Sequence, residues 1–227
     1  MPLTQLLTEK YRPHRINDFV GLEGPKKILR NFVKSPFGSV WLFVGGPGTG
    51  KSTMALALAE ELGIPASFIS HIPSQRCTVE RVINVTKDYF GWALWFSKDD
   101  FFMYLIDEID AAHENAKTAW ISLLDPQALP PRCIHIFTCN EIEYDPDDKL
   151  PEKIEDRINL PRRLIQRCQV LAFNNYGQSA ELIRLLEHIW SQEAPPDVKL
   201  PNFPKLVKEH SNVRAAVMEV QKRLLAL

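Results

Sequence analysis

Five short apolar runs recur between residues 39 and 173, and segments of helical composition follow them. The runs, at residues 39–45, 66–70, 101–107, 133–139 and 168–173, are rich in Val, Ile and Phe. That pattern is typical of strands that are covered on both faces of a sheet. Residues 52–62, after the first run, have the Ala, Leu and Glu content of a helix. Strands and helices in alternation predict an α/β domain with a five-stranded, mostly parallel sheet.

The strand pattern ends at Phe173, and only helical patterns follow it. Residues 177–192 carry apolar side chains at helical spacing, and the Pro195-Pro196 pair then ends that pattern. Residues 203–210 and 212–225 predict two further helices. We therefore expect an α/β domain at residues 1–175 and a small all-α domain at residues 176–227.

The overall composition is that of an ordinary globular protein, with 45% hydrophobic and 24% charged residues among 227. A net charge of -1 provides no molecule-wide positive field, so any contact with nucleic acid must come from a local patch. The four cysteines form no C-x-x-C pair, which favours buried reduced thiols over a zinc site. The sequence contains neither a signal-peptide pattern nor a membrane-length apolar run, so we expect a cytoplasmic protein.

Residues 45–52, with the sequence GGPGTGKS, match the phosphate-binding pattern G-x4-G-K-[ST]. The match lies between a predicted strand and a predicted helix, which is where such a loop occurs. Backbone N–H groups of the loop would wrap phosphates, Lys51 would add positive charge, and Ser52 would offer a hydroxyl to Mg2+. The alternative is a Gly-rich turn that binds nothing. We expect the nucleotide-binding residues of this segment to be Gly46, Pro47, Gly48, Thr49, Gly50, Lys51, Ser52 and Thr53.

Two further predicted strands end in polar residues that suit phosphate chemistry. The run at residues 102–106 ends in Asp107 and Glu108, which can reach the shell of Mg2+ and the attacking water, respectively. An acidic pair at this position favours hydrolysis over phosphoryl transfer to a second substrate. Asn140 follows the run at residues 133–139, where an amide can hold the water or the γ-phosphate. Asn also caps turns after strands, so both interpretations of Asn140 are open.

These motifs, taken in order along the chain, resemble the AAA+ ATPase subunits of sliding-clamp loaders. The similarity is to the small subunits of replication factor C and their phage counterparts, and it runs over nearly the whole chain. Beyond the phosphate motifs it includes EKYRP at residues 9–13, DFVG at 18–21, FTCN at 137–140 and LIQRC at 164–168. EKYRP is the most discriminating element, because general AAA+ proteins seldom carry it. The resemblance implies a P-loop AAA+ core followed by a helical lid.

The resemblance also implies roles for individual residues. Tyr11, Arg12 and Val20 would bracket the adenine of ATP. Phosphates and Mg2+ would be held by Lys51, Ser52 and Asp107. Polarisation of water and sensing of the γ-phosphate would fall to Glu108 and Asn140.

Two arginines receive roles that only the resemblance supplies. Arg167 would be an arginine finger that reaches the nucleotide site of a neighbouring subunit. Arg214 would be a second sensor, which reports the γ-phosphate from the helical lid. Without the resemblance, both residues are most simply explained as surface arginines.

A local patch for nucleic acid is the least specific prediction. Residues 74–78 stand where the family carries a turn that touches the DNA backbone. The candidates for this contact are Arg76, Thr78, Arg81 and Lys87. A solvated helix face explains the same residues equally well.

The chain departs from the family pattern in three places. Gln166 stands where a Ser normally precedes the Arg-Cys pair. The helix after Glu108 lacks the paired arginines that couple subunits in the family, which puts that coupling in doubt. Residues 141–160 form a longer segment than the family has, with eight acidic and three basic residues. We expect a solvated loop with one helical turn there, and the alternative is an insertion that binds a partner.

The resemblance implies a Mg2+-dependent ATPase that works in an oligomer with other AAA+ subunits, loading a sliding clamp on primer–template DNA in replication. One alternative is a structural subunit that does not hydrolyse ATP and lends its arginine finger to a partner. Another is a AAA+ remodelling ATPase outside replication. The sequence stops at Leu227, just past the second-sensor helix. A collar domain would therefore have to come from another protein, unless it has been lost or the chain is a fragment.

Overall fold

The computed structural model describes residues 5–95, 100–125, 129–141, 153–174, 178–210 and 212–226, with backbone only at residues 90 and 92–95. Five strands form one parallel sheet in the order β2-β3-β4-β1-β5. The strands are β1 (Ser39–Val44), β2 (Ile69–Pro73), β3 (Phe102–Asp107), β4 (Cys133–Cys139) and β5 (Gln169–Ala172). The predicted five-stranded parallel sheet is therefore confirmed.

Nine α-helices are present in the described part of the chain. They are α1 (Leu7–Lys10), α2 (Glu23–Lys34), α3 (Lys51–Glu61), α4 (Val79–Trp95), α5 (Glu114–Leu123), α6 (Arg162–Ile165), α7 (Ser179–Glu193), α8 (Phe203–Glu209) and α9 (Val213–Leu224). Short 3-10 turns also occur at Ile16–Asp18, Ala66–Phe68, Ser74–Arg76, Ile109–Ala111 and Ile154–Arg157. No described helix is long and apolar enough to cross a membrane.

The sheet is buried on both faces, as its apolar strands require. Alternate residues of β1 enter two different core clusters because successive side chains of a strand point to opposite faces. Leu42 packs in the cluster that contains Trp120 of α5, whereas Phe43 packs in the cluster that contains Leu58 of α3. The helices therefore hold the sheet between two apolar layers and leave its carboxyl edge open to a ligand.

The second strand differs from its predicted bounds. It runs over Ile69–Pro73 instead of residues 66–70, because Ala66–Phe68 form a 3-10 turn. Pro65 precedes the turn with φ -61°, and its carbonyl accepts a hydrogen bond from the Phe68 N–H at 2.8 Å. Proline fixes φ at a value that suits such a turn, so the apolar pattern alone placed the strand too early.

The acidic segment lies mostly outside the described residues. Of the part that is described, Ile154–Arg157 form a single 3-10 turn. The expectation of a loop at residues 142–152 lies outside the described part of the chain.

The three C-terminal helices α7, α8 and α9 form a third apolar cluster, which we call the C-terminal helical cluster. Leu186, Phe203 and Val220 are buried in it, and so is Leu7 from the N-terminal helix α1. The Leu7 N–H also donates to Oε1 of Gln221 in α9 at 2.8 Å. The N-terminal segment therefore packs on the C-terminal helices, although the domain boundary near residue 175 stays a prediction.

Candidate nucleotide-binding site

Residues 45–50 of the GGPGTGKS segment form a loop after β1, and Lys51 and Ser52 are the first two residues of α3. Gly48 and Gly50 adopt φ values of +73° and +93°, which L side chains rarely adopt. A Cβ added to Gly48 would lie 2.6 Å from Oδ1 of Asn212, so Asn212, which accepts the Ala215 N–H, would have to move. The backbone conformation and the close approach of Asn212 thus both favour glycine at position 48.

Lys51 is held at the base of this loop by three oxygen acceptors. Its Nζ donates to the carbonyl oxygens of Gly45 and Gly46 at 2.7 and 2.8 Å, and to Oδ1 of Asn140 at 2.9 Å. Burial lowers the pKa of Lys51, and the charges of nearby groups, Asp107 among them, oppose that shift. The predicted lysine and the predicted sensor amide are therefore in direct contact.

Ser52 and Asp107 form the second pair of the site. The Ser52 hydroxyl donates to Oδ1 of Asp107 at 2.6 Å. A hydroxyl and a carboxylate in contact are a donor set that suits Mg2+, which binds hard oxygen ligands. The predicted pair of metal-binding residues is therefore brought together across α3 and β3.

Thr138 is a site residue that the sequence analysis did not find. Its hydroxyl donates to Oδ1 of Asp107 at 2.8 Å and accepts the Glu108 N–H at 2.9 Å. The register places Ile106 opposite Phe137, so Thr138 lies beside Asp107 on the neighbouring strand. A polar residue next to the end of a wholly buried strand was the available signal.

Glu108 occupies an unusual backbone conformation. Its φ of +55° and ψ of +50° lie in the left-handed region, which costs a residue with a Cβ about 1 kcal/mol or more. Asp110 follows it in the same turn and accepts the Asn140 N–H at 3.1 Å through Oδ1. This turn therefore joins the end of β3 to the end of β4.

A cavity that we call the P-loop cavity contains these groups. Its lining includes Lys51, Ser52, Asp107, Glu108, Thr138, Asn140 and Arg214. A positive side chain, backbone N–H groups at the start of a helix, and a hydroxyl–carboxylate pair are the donors and acceptors that a nucleoside triphosphate with Mg2+ requires. The residues present therefore fit both groups.

A second cavity, the N-terminal cavity, adjoins the first and shares Gly48, Thr49, Gly50, Thr53 and Arg214 with it. The residues expected to bracket adenine, Tyr11, Arg12 and Val20, line this cavity together with Phe19 and Val217. The two cavities thus meet at the P-loop, and Arg214 lies at their junction.

Tyr11 makes a contact that the sequence did not predict. Its hydroxyl donates to Oε1 of Glu193 in α7, and the Lys10 ammonium lies 2.7 Å from the same carboxylate oxygen. Burial and the Glu193 carboxylate raise the pKa of Tyr11. The Tyr11 ring, which lines the N-terminal cavity, is therefore held by a hydrogen bond to α7.

Arg167 is not among the described residues that line either cavity. It lies just after α6, half-buried, and its Nη1 donates to the Arg163 carbonyl at 3.1 Å. Its Nε is buried without a hydrogen-bond partner in the structure. The structure thus places this arginine apart from the nucleotide site of its own chain.

The four nucleic-acid candidates are on or just before α4. Arg76 and Lys87 are exposed. Thr78 accepts the Arg81 N–H through Oγ1 at 3.1 Å, so its hydroxyl caps the helix. The Arg81 guanidinium contacts Ser70 at 2.7 Å and Asp88 at 3.3 Å. The structure therefore engages Arg81 within the chain, and the role of these residues in DNA contact stays a prediction.

A parallel sheet with a phosphate-binding loop after its first strand and an acidic pair after a neighbouring strand defines a P-loop nucleotide-binding protein. The model of the ATPase family associated with various cellular activities (AAA) matches residues 41–162, more than half of the chain. The chain belongs to this family.

Two relatives are similar in sequence to most of this chain. A replication factor C small subunit 1 of Pyrobaculum islandicum is 36% identical over 169 residues, which are 73% of this chain and 46% of that protein. Replication factor C subunit 4 of Arabidopsis thaliana is 28% identical over 201 residues, which are 84% of this chain and 54% of that protein. The chain thus spans about half the length of these relatives.

Solved structures support the fold. The RuvB Holliday junction branch migration motor of Thermotoga maritima superposes with a TM-score of 0.66, at 18% identity, over 93% of this chain and 64% of that chain. At this identity the similarity shows a common architecture and nothing about the substrate.

Proposed function

We propose that this chain binds ATP with Mg2+ and hydrolyses it as a clamp-loader-like subunit that acts in DNA replication. The observation that carries the proposal is the convergence of Lys51, Asn140, Ser52 and Asp107 at the carboxyl edge of the sheet. The names of the replication factor C relatives support the assignment to replication.

The chain's own residues account for each part of ATP binding. The P-loop N–H groups and Lys51 bind the phosphates, while Tyr11 and Val20 in the N-terminal cavity contact the base. Mg2+, when bound through Ser52 and Asp107, supplies positive charge to the phosphate oxygens. Glu108 lines the P-loop cavity beside these groups, where its carboxylate orients and polarises the attacking water.

The remaining parts of the proposal concern assembly. Arg167 lies outside the nucleotide cavities of its own chain, which supports a role in the site of a neighbouring AAA+ subunit. Such an oligomer would hold primer–template DNA and a sliding clamp, with Arg76 and Lys87 as exposed cations that can contact phosphates. The net charge of -1 fits DNA that is held inside an assembly better than tight binding by one chain.

The test measures ATP turnover with and without primed DNA and a sliding clamp. Glu108→Gln should bind ATP as the wild type does but lose about 100-fold or more in kcat, because a general base is removed. Glu187→Gln, at an exposed position on α7, is the matched control and should leave turnover unchanged.

The possible results separate the competing functions. Turnover that rises with primed DNA and clamp supports the proposal. Turnover that ignores both would point to a remodelling ATPase with another substrate. A wild-type chain that binds ATP and never hydrolyses it, alone or with other AAA+ subunits, would contradict the assignment of Glu108.

A further inference from the structure

His71 lies on β2, one strand away from the acidic end of β3. The register pairs His71 with Leu105, so His71 and Asp107 are diagonal neighbours on the same face of the sheet. The imidazole Nε2 is 2.7 Å from Oδ2 of Asp107. Because an ionised carboxylate can only accept hydrogen bonds, Nε2 is the donor in this contact.

The other oxygen of Asp107 is already engaged. Oδ1 accepts the hydroxyls of Ser52 at 2.6 Å and Thr138 at 2.8 Å. The His71 side chain is 53% exposed and that of Asp107 is 19% exposed. An exposed imidazole therefore covers the oxygen of Asp107 that Ser52 and Thr138 leave open.

Three donors on three different elements thus fix one carboxylate. Ser52 comes from α3, Thr138 from β4 and His71 from β2. A carboxylate free to rotate would present either oxygen to a metal, whereas this one is held in a single orientation. Groups that orient a metal-binding carboxylate in this way commonly control metal affinity by about 10- to 100-fold.

We propose that His71 is a positioning residue for the metal-binding carboxylate Asp107, and that it sets the affinity of the nucleotide complex for divalent cations. The inference rests on the proposed function, since it concerns the Mg2+ of the same site. His71 acts by donating from Nε2 to Oδ2, so the property that matters is a donor at that distance. Neither the phosphate-binding motif nor the acidic pair contains this residue.

The experiment separates nucleotide affinity from metal affinity. In a first titration, the non-hydrolysable analogue adenylyl imidodiphosphate is added to the purified chain in EDTA. In a second, EDTA-free sample, Mn2+ is added at saturating analogue, and free Mn2+ is measured by electron paramagnetic resonance. His71→Ala should raise the Mn2+ concentration at half-saturation by about 10-fold or more and leave the metal-free affinity for the analogue unchanged. His71→Gln, which can place an amide donor near the same point, should restore most of the loss.

The matched control is His14→Ala. His14 is also an exposed histidine that contacts a carboxylate, with Nδ1 3.2 Å from Oε2 of Glu60, and it does not line either cavity. It should bind analogue and Mn2+ as the wild type does. Thermal unfolding without ligand checks that each variant is folded.

Several outcomes would overturn the inference. An unchanged Mn2+ titration for His71→Ala would show that Asp107 needs no positioning by His71. A parallel loss of metal-free analogue affinity would show a structural role for β2, and a folded His71→Gln without recovery would show that the donor is irrelevant. A wild-type chain that binds no analogue would instead refute the proposed nucleotide binding, and with it the inference.

Discussion

At the scale of single residues, His135 is a polar group that lies wholly buried in the core. It lies in β4, wholly buried, and its ring stacks on Tyr104 at 5.3 Å between centroids and 12° between planes. Its Nε2 contacts the Tyr89 hydroxyl, and its Nδ1 has no hydrogen-bond partner in the structure. Burial lowers the pKa of His135 from 6.5 to about 3, because a charged imidazole cannot be solvated there.

The shift makes stability dependent on pH. Between pH 6.5 and 3 the unfolded chain binds a proton at His135 that the folded chain does not. The contribution of His135 to the free energy of unfolding is therefore complete above pH 6.5. It falls by about 1.4 kcal/mol per pH unit as the pH drops through this window. Chemical denaturation from pH 7 to 4.5 should show this slope in the wild type, on top of the contributions of other groups.

Replacement of His135 by phenylalanine should flatten that slope. A phenyl ring at this position cannot hydrogen-bond to the Tyr89 hydroxyl, so stability at pH 7 should fall by about 1–3 kcal/mol while its loss below pH 6.5 becomes smaller. His113→Ala, at an exposed position, is the control and should keep the wild-type slope. An unchanged slope in His135→Phe would mean that His135 does not titrate as its burial requires.

At the scale of secondary-structure elements, the N-terminal segment is attached to α7 by two adjacent contacts. The Tyr11 hydroxyl and the Lys10 ammonium share Oε1 of Glu193, whose side chain is only 9% exposed. Upstream of them, Leu7 is buried among α7, α8 and α9. The position of the Tyr11 ring in the N-terminal cavity therefore depends on a helix from the other end of the chain.

Glu193→Ala should weaken ATP binding by about fivefold, because loss of the hydrogen bond frees the Tyr11 ring. Tyr11→Phe should also weaken binding, and the double variant should be no weaker than Glu193→Ala alone, since Tyr11→Phe removes one of the two contacts that Glu193→Ala removes. Calorimetric titration measures the affinities. Glu187→Ala, on an exposed face of the same helix, should bind as the wild type does. Additive losses in the double variant would show that the two residues act separately.

Some features of these elements and of the site can be predicted from the sequence, and others cannot. The strands and the P-loop were predictable because their signals are local: apolar runs, glycines with a required φ, and a lysine that opens a helix. Contacts of Asp107 with Thr138 and His71 were not, since they depend on which strands are neighbours. The order β2-β3-β4-β1-β5 brings those strands together, and no apolar run encodes it.

The packing of Leu7 on the C-terminal helices has the same physical origin. Its burial depends on α9, which lies at the opposite end of the chain and supplies Gln221 as the acceptor for the Leu7 N–H. The apolar residues around Leu7 do not indicate which distant helix they pack on. The predicted bounds of β2 were wrong for a local reason, because the 3-10 turn that follows Pro65 precedes the strand.

At the scale of the whole molecule, the arrangement of Glu108 and Arg167 raises the question of which chain completes the site. Glu108 lines the P-loop cavity, whereas Arg167 lines neither cavity among the described residues. Head-to-tail packing of AAA+ subunits would bring Arg167 of one chain to the nucleotide of the next. Hydrolysis would then depend on assembly, and turnover per chain should rise with protein concentration.

Mixing two inactive variants tests this arrangement directly. The Glu108→Gln chain keeps its arginine, and the Arg167→Ala chain keeps its glutamate; each alone should lose about 100-fold or more in turnover. If Arg167 acts on the neighbouring site, an equal mixture of the two contains complete interfaces and should regain about a quarter of wild-type turnover in a head-to-tail homo-oligomer. Glu108→Gln mixed with the double variant contains none and should stay inactive. A first mixture as inactive as its components would show that Arg167 does not complete a neighbour's site, because both residues would then have to be intact in one chain.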